Sequence, residues 1–134
     1  KQRLKPHLME GNVDKTMNAP VVAILANDLE FYEKLPKLFP HTDAKSWFVG
    51  NDDLIKSTAM RNGTLQGGYF ILAARGLGLD CGPMSGFDQA AVKKEFFADD
   101  NFEVNFLCSL GHGDESTIFE RSPRYEFDEV CEIL

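Results

Sequence analysis

Between Asn51 and Leu79 the chain reads NDDLIKSTAMRNGTLQGGYFILAARGLGL, one long helical pattern. Asn51 or Asp52 is placed to cap it, and acidic residues occupy the first turn, where the helix dipole favours negative charge. The second half is apolar or small almost all round. A helix without a polar face needs cover on every side, so the pattern predicts a buried helix. Gly63, Gly67 and Gly68 each cost about 1 kcal/mol relative to alanine inside a helix. Three together point to another backbone or a partner helix packed closely on that surface, as at a dimer interface. At 134 residues the chain suits a single core, burying roughly two-thirds of its unfolded surface.

The flanking segments supply shorter elements. Lys1–Glu10 reads as a basic helix end closed by the stop signals Gly11 and Asn12. APVVAILAND, residues 19–28, is a short apolar run rich in valine that predicts a strand covered on both faces. Asp28 is a cap candidate for the helical turns of DLEFYEKLPKLFP, which Pro36 and Pro40 break. After the long helix, GLGLDCGPMSGFD (residues 76–88) packs four glycines and a proline into a loop. A short helix from Asp88 to Phe97 follows, and NFEVNFLCSLG alternates as a strand. GHGDES is a turn, and RSPRYEFDEVCEIL is an irregular basic segment with an apolar end. The opening KQRLKPHLMEGN looks like a helix already under way, so the expectation is one domain over 1–134 that lacks its N-terminal part.

The formal net charge of −7 argues against nucleic acid, since phosphate neutralisation needs clustered lysine and arginine. No run reaches the length of a membrane span and no signal-peptide pattern opens the chain, which points to a cytoplasmic protein. Cys81, Cys108 and Cys131 are odd in number and contain no C-x-x-C, as reduced thiols in a reducing compartment would be. His7, His41 and His112 share no ligand spacing, and no metal site is expected.

Two constellations can carry chemistry. Pro83, Met84, Ser85 and Gly86 stand just before a helix, where backbone N–H groups lack partners and can donate to a flat ligand with acceptor nitrogens and oxygens; the alternative is a plain turn. Arg121 and Arg124 stand close together in an acidic chain. Their guanidinium forks can hold a phosphate monoester, or pair with Glu120 and Glu126 on the surface. No nucleophile and base are visible as a pair, so no catalytic side chain is assigned and a bound cofactor is expected to carry any reaction.

The order of these features resembles the FMN-dependent nitroreductase family: the strand APVVAILAND, the segment FYEKLPKLFPH, the helix ending LAARGLGLDCGPMSGFD, the strand NFLCSLGHGD and the tail RSPRYEFDEVCEIL. The likeness is greatest to the branch called malonic semialdehyde reductase or NAD(P)H nitroreductase. It implies an α+β sandwich around a mixed central sheet, assembled as an intertwined homodimer with FMN at the subunit interface. It also implies amides of Ser85 and Gly86 beside the flavin N5 edge, Pro83 and Met84 against the ring, and Arg124 with Arg121 on the FMN phosphate. NADH or NADPH is the implied donor and a small aldehyde, nitro compound or quinone the implied acceptor. The alternative is a protein of the same fold that binds and sequesters flavin without turnover. The family's N-terminal arginine-rich phosphate motif has no counterpart in this sequence.

Overall fold

The structure, a computed structural model, describes residues 1–134. Its centre is an antiparallel sheet of three strands in the order β1-β3-β2, with β1 Val21–Asp28, β2 Asp80–Met84 and β3 Phe102–Gly111. β1 and β2 run parallel to each other on opposite sides of β3. The sheet is therefore not mixed within this chain, because the central strand runs against both neighbours. Helices α1 (Glu10–Asn18), α3 (Asp52–Gly76) and α4 (Gln89–Phe96) cover it, with two short helices, α2 (Leu35–Leu38) and α5 (Phe127–Val130), outside.

Strand alternation divides the sheet. One face carries the core cluster of Leu4, Met84, Phe87, Val92, Val104 and Leu107. The other carries Leu25 and Phe106, against which α3 lies: a Cβ on Gly67 would come within 2.6 Å of the Phe106 ring and 3.2 Å of Leu25. Close approach is thus the reason for Gly67, but to side chains of the sheet and not to another backbone or a partner helix as the glycine spacing predicts, whereas Gly68 has open space around it. Val104 and Leu107 share a face despite their odd spacing because the register slips between Leu25 and Ala26, leaving Asn105 as the extra residue of a β-bulge. The Asn105 Nδ2 donates to Asn27 Oδ1 at 3.2 Å and to Thr64 Oγ1 at 3.0 Å, tying the bulge to α3. Asn27 is 2% exposed, so this bond satisfies a buried acceptor.

Several boundaries differ from expectation. Gly11 and Asn12 do not stop a helix; they lie in the first turn of α1, which starts at Glu10 after the extended Met9. The segment before it is only a 3₁₀ turn, Lys5–His7. β1 is an edge strand with one buried residue, Asn27, and not a strand covered on both faces. Asp28 ends β1 and turns the chain by accepting the Glu30 amide at 2.8 Å. Pro36 sits in the first turn of α2, where its missing N–H costs nothing, and so starts that helix. The long helix has the expected cap, Asn51 accepting the Leu54 amide at 3.1 Å. It ends where Leu77 and Gly78 donate back to α3 carbonyls, Gly78 at φ +81°, a conformation glycine adopts freely. α3 is not buried all round, however: the sheet covers one side, with Ile55, Ala59, Gly67 and Ala74 buried.

Candidate functional site

The glycine-rich segment is only partly a loop. Residues 80–84 form β2, whose register pairs Asp80 with Gly111 and Met84 with Leu107. Pro83 lies in this strand without penalty because β2 is an edge, where a missing N–H faces away from the ladder. Met84 is 8% exposed and packs in the core, where its sulfur accepts the Thr16 hydroxyl at 3.4 Å. Strand alternation thus turns the Met84 side chain, set against the ring by the family resemblance, inward to the core.

Beyond β2 the chain makes a tight turn at Gly86, with the Phe87 amide donating to the Ser85 carbonyl at 3.0 Å. The Gly86 carbonyl accepts twice, from the Met9 amide at 3.0 Å and from Asn12 Nδ2 at 2.8 Å. Phe87 pairs with Leu8 as an isolated bridge, and the Asp88 amide donates to the His7 carbonyl at 2.8 Å. The Asp88 carboxylate then caps α4 by accepting the Ala91 amide at 3.0 Å. The carbonyls of Ser85 and Gly86 and the amides of Phe87 and Asp88 are thus all engaged. On the other side, the amides of Ser85 and Gly86 donate to no acceptor in the chain. Ser85 is exposed and Gly86 half-buried. The result is two adjacent free donors on a turn anchored at both ends, which can receive acceptor atoms of a ligand without breaking an internal bond.

The arginines stand apart from this turn. Every residue from His112 to Leu134 is exposed. Arg124 Nη1 donates to the Ser122 and Pro123 carbonyls at 2.8 and 3.1 Å, and neither Arg121 nor Arg124 forms an ion pair. The surface pairing with Glu120 or Glu126 does not occur, and neither guanidinium bonds to Pro83–Gly86. The structure thus brings the four turn residues together and leaves the two arginines free.

Two features escaped the sequence. Asn12, read as a helix stop, is a partner of Gly86; nothing local in GNVD signals a contact 74 residues away. An open concavity of about 900 Å³ lies at the other end of β2, lined by Lys15, Asn18, Arg75, Ser109, His112 and Ile118 among others. The Ser109 hydroxyl is buried there without a partner. At its rim Asp80 accepts the Gly113 amide at 2.7 Å and the Arg75 guanidinium. These bonds hold its carboxyl below the ordinary value of 3.8. On the opposite face, burial and the neighbouring Cys81 push the Cys108 thiol up to about 11, so it is protonated at neutral pH. Cys81 is half-buried and Cys131 exposed, and all three are free thiols.

The family model described as "Nitroreductase family" matches residues 1–112. A protein of Polynucleobacter asymbioticus named "Putative NADH dehydrogenase/NAD(P)H nitroreductase" is 61% identical over 134 residues, all of this chain and 68% of the relative. A Burkholderia lata protein of the same name is 59% identical over 133 residues, 99% of this chain and 68% of its own. Among solved structures, a nitroreductase family protein of Streptococcus pneumoniae superposes with a TM-score of 0.82 at 20% identity, covering 98% of this chain and 72% of that one. A protein of Exiguobacterium sibiricum solved in complex with FMN superposes at 0.84 with 16% identity, covering 99% and 70%. With a family model over most of its length, and relatives at this identity along all of it, the chain belongs to the nitroreductase family.

Proposed function

We propose that the chain is an FMN-dependent oxidoreductase that takes reducing equivalents from NADH or NADPH and passes them to a small acceptor. The acceptor is an aldehyde of the malonic semialdehyde type, a nitro compound or a quinone. The observation that carries this reading is the pair of unpartnered amides at Ser85 and Gly86, in a chain of the nitroreductase family. Support for the donor and cofactor comes from relatives named as NAD(P)H nitroreductases and from the FMN-bound fold neighbour.

The turn fits a flavin. A flavin ring carries acceptor nitrogens and oxygens along its polar edge, and two adjacent N–H groups with no internal acceptor match such an edge. Glycine at 86 and a short side chain at 85 let the ring approach the main chain. Bound FMN supplies two-electron hydride chemistry. The chain's own contribution is to orient and to hold: the Ser85 and Gly86 amides fix the ring edge, and Pro83 offers an apolar surface on the edge strand beside it. Arg121 and Arg124 are free to fork onto the phosphate. No side chain is assigned a proton or a covalent step. The proposal includes a homodimer, supported by the apolar face α3 leaves uncovered.

The test is direct. The purified protein incubated with FMN is expected to turn yellow and to consume NADH or NADPH when given a nitroaromatic, a quinone or a small aldehyde. Arg124→Glu is expected to weaken FMN binding about ten- to a hundredfold, the range of a charge-assisted contact. A protein that stays colourless in excess FMN overturns the reading. Flavin that binds but stays oxidised for minutes in NADPH points to the sequestering alternative.

A further inference from the structure

Resting on the reading just given, we infer that Asn12 is a positioning residue for the flavin: it holds the Gly86 carbonyl, and the Phe87 amide of that same peptide, bonded to the Ser85 carbonyl, keeps the Gly86 amide aimed outward. The turn has three restraints on its inner side. The Ser85 carbonyl accepts the Phe87 amide at 3.0 Å, the Gly86 carbonyl accepts the Met9 amide at 3.0 Å, and Asn12 Nδ2 adds a second bond to that carbonyl at 2.8 Å. A peptide plane whose oxygen is held cannot rotate without breaking that bond: Asn12 and Met9 fix the Gly86–Phe87 peptide, its N–H donates to the Ser85 carbonyl, and that bond in turn fixes the Ser85–Gly86 peptide and the direction of the Gly86 N–H. Asn12 is the only side chain among these restraints. It stands on the third residue of α1, whose amide bonds to Met9 at 2.8 Å, so its position is set by a helix and not by a mobile loop.

Glycine at 86 belongs to the same device. A Cβ there would run into Asn12 Nδ2 and would lie 3.4 Å from Met9 Sδ. The φ of Gly86 is not in the left-handed region, so the requirement for glycine comes from the Asn12 amide and not from backbone strain. The pair is a lock: Asn12 reaches the carbonyl only because residue 86 has no side chain. Free donors that keep one direction before the ligand arrives lose less orientational freedom on binding, which is how preorganised amides gain affinity.

Three measurements on the purified protein test this. Amide exchange by NMR, without flavin, is expected to show the Met9 and Phe87 amides about three- to tenfold less protected in Asn12→Ala than in the wild type, the range of one neutral hydrogen bond. Unchanged protection overturns the inference whether or not flavin binds. With FMN, Asn12→Ala is expected to bind several-fold more weakly and to shift the flavin's reduction potential, about 30 mV for each tenfold difference between oxidised and reduced affinities. A merely structural Asn12 would lower the melting temperature and leave the potential in place, and that outcome also overturns the inference. In a double-mutant cycle, Gly86→Ala is expected to destabilise the wild type more than it destabilises Asn12→Ala, and equal costs in the two backgrounds count against the lock. A colourless wild type sinks the proposed function alone, since the exchange and stability arms still decide what Asn12 does.

Discussion

Single residues in this chain are constrained mainly by what lies opposite them in space. Gly67 and Gly11 make the contrast. Both sit inside helices, but a Cβ on Gly67 would come within 2.6 Å of Phe106 and 3.2 Å of Leu25, while one on Gly11 would meet nothing within 4 Å. Gly67→Ala is expected to destabilise by about 1–3 kcal/mol, because rings must move to admit a methyl group. Gly11→Ala is expected to stabilise by up to about 1 kcal/mol through helix propensity. Urea unfolding of the two variants checks both signs, and a stabilised Gly67→Ala would mean that α3 does not rest on the sheet there. Of the candidate site residues, Ser85 and Gly86 were legible as unpartnered main chain ahead of a helix. The inward commitment of Met84 was not, because a Gly-Pro-Met-Ser-Gly string carries too little alternation to declare a strand.

At the scale of elements, the corner between α3 and β2 is held electrostatically. Arg75, in the last turn of α3, bonds to Asp80 at the start of β2, and Asp80 also accepts the Gly113 amide beyond the end of β3. The Gly113 bond and the arginine lower the Asp80 pKa in the folded protein. A group depressed on folding stabilises above its unfolded value and loses that contribution as pH falls through its folded value. The wild type is therefore expected to lose stability as pH drops below about 4, and Asp80→Asn to show a shallower acid limb while being less stable at neutral pH. Melting temperatures from pH 7 to pH 2.5 check this, and parallel curves for the two proteins would refute it. Screening at this half-exposed site keeps the effect modest. α3 itself was readable, with its Asn51 cap and its end near Leu77, because propensity, capping and an absence of proline agree over 25 residues. β2 was hidden because its pairing partner lies more than twenty residues later.

For the whole molecule the open question is cover. Leu65, Tyr69 and Leu72 on α3 and Leu77 just past its end are 60–82% exposed, and the apolar tail residues Ile133 and Leu134 are still more so. Leu65, Tyr69 and Leu72 share one side of the helix by their spacing, and an exposed apolar stripe of this kind marks an interaction face. The proposed homodimer uses it, and Tyr69→Lys is expected to shift the protein toward monomer in sedimentation velocity while leaving its far-ultraviolet circular dichroism intact. An unchanged dimer, or a monomeric wild type, would put the interface elsewhere. By itself the sequence determined the α+β class, the long capped helix, the strand at Phe102–Gly111 and the family, because each rests on local periodicity, caps or motif order. Only the tertiary structure decided that the glycine-rich segment is half strand, that α3 is covered on one side, and that Asn12 holds the Gly86 carbonyl. Those outcomes depend on contacts between residues far apart along the chain, and local propensity contains no term for them.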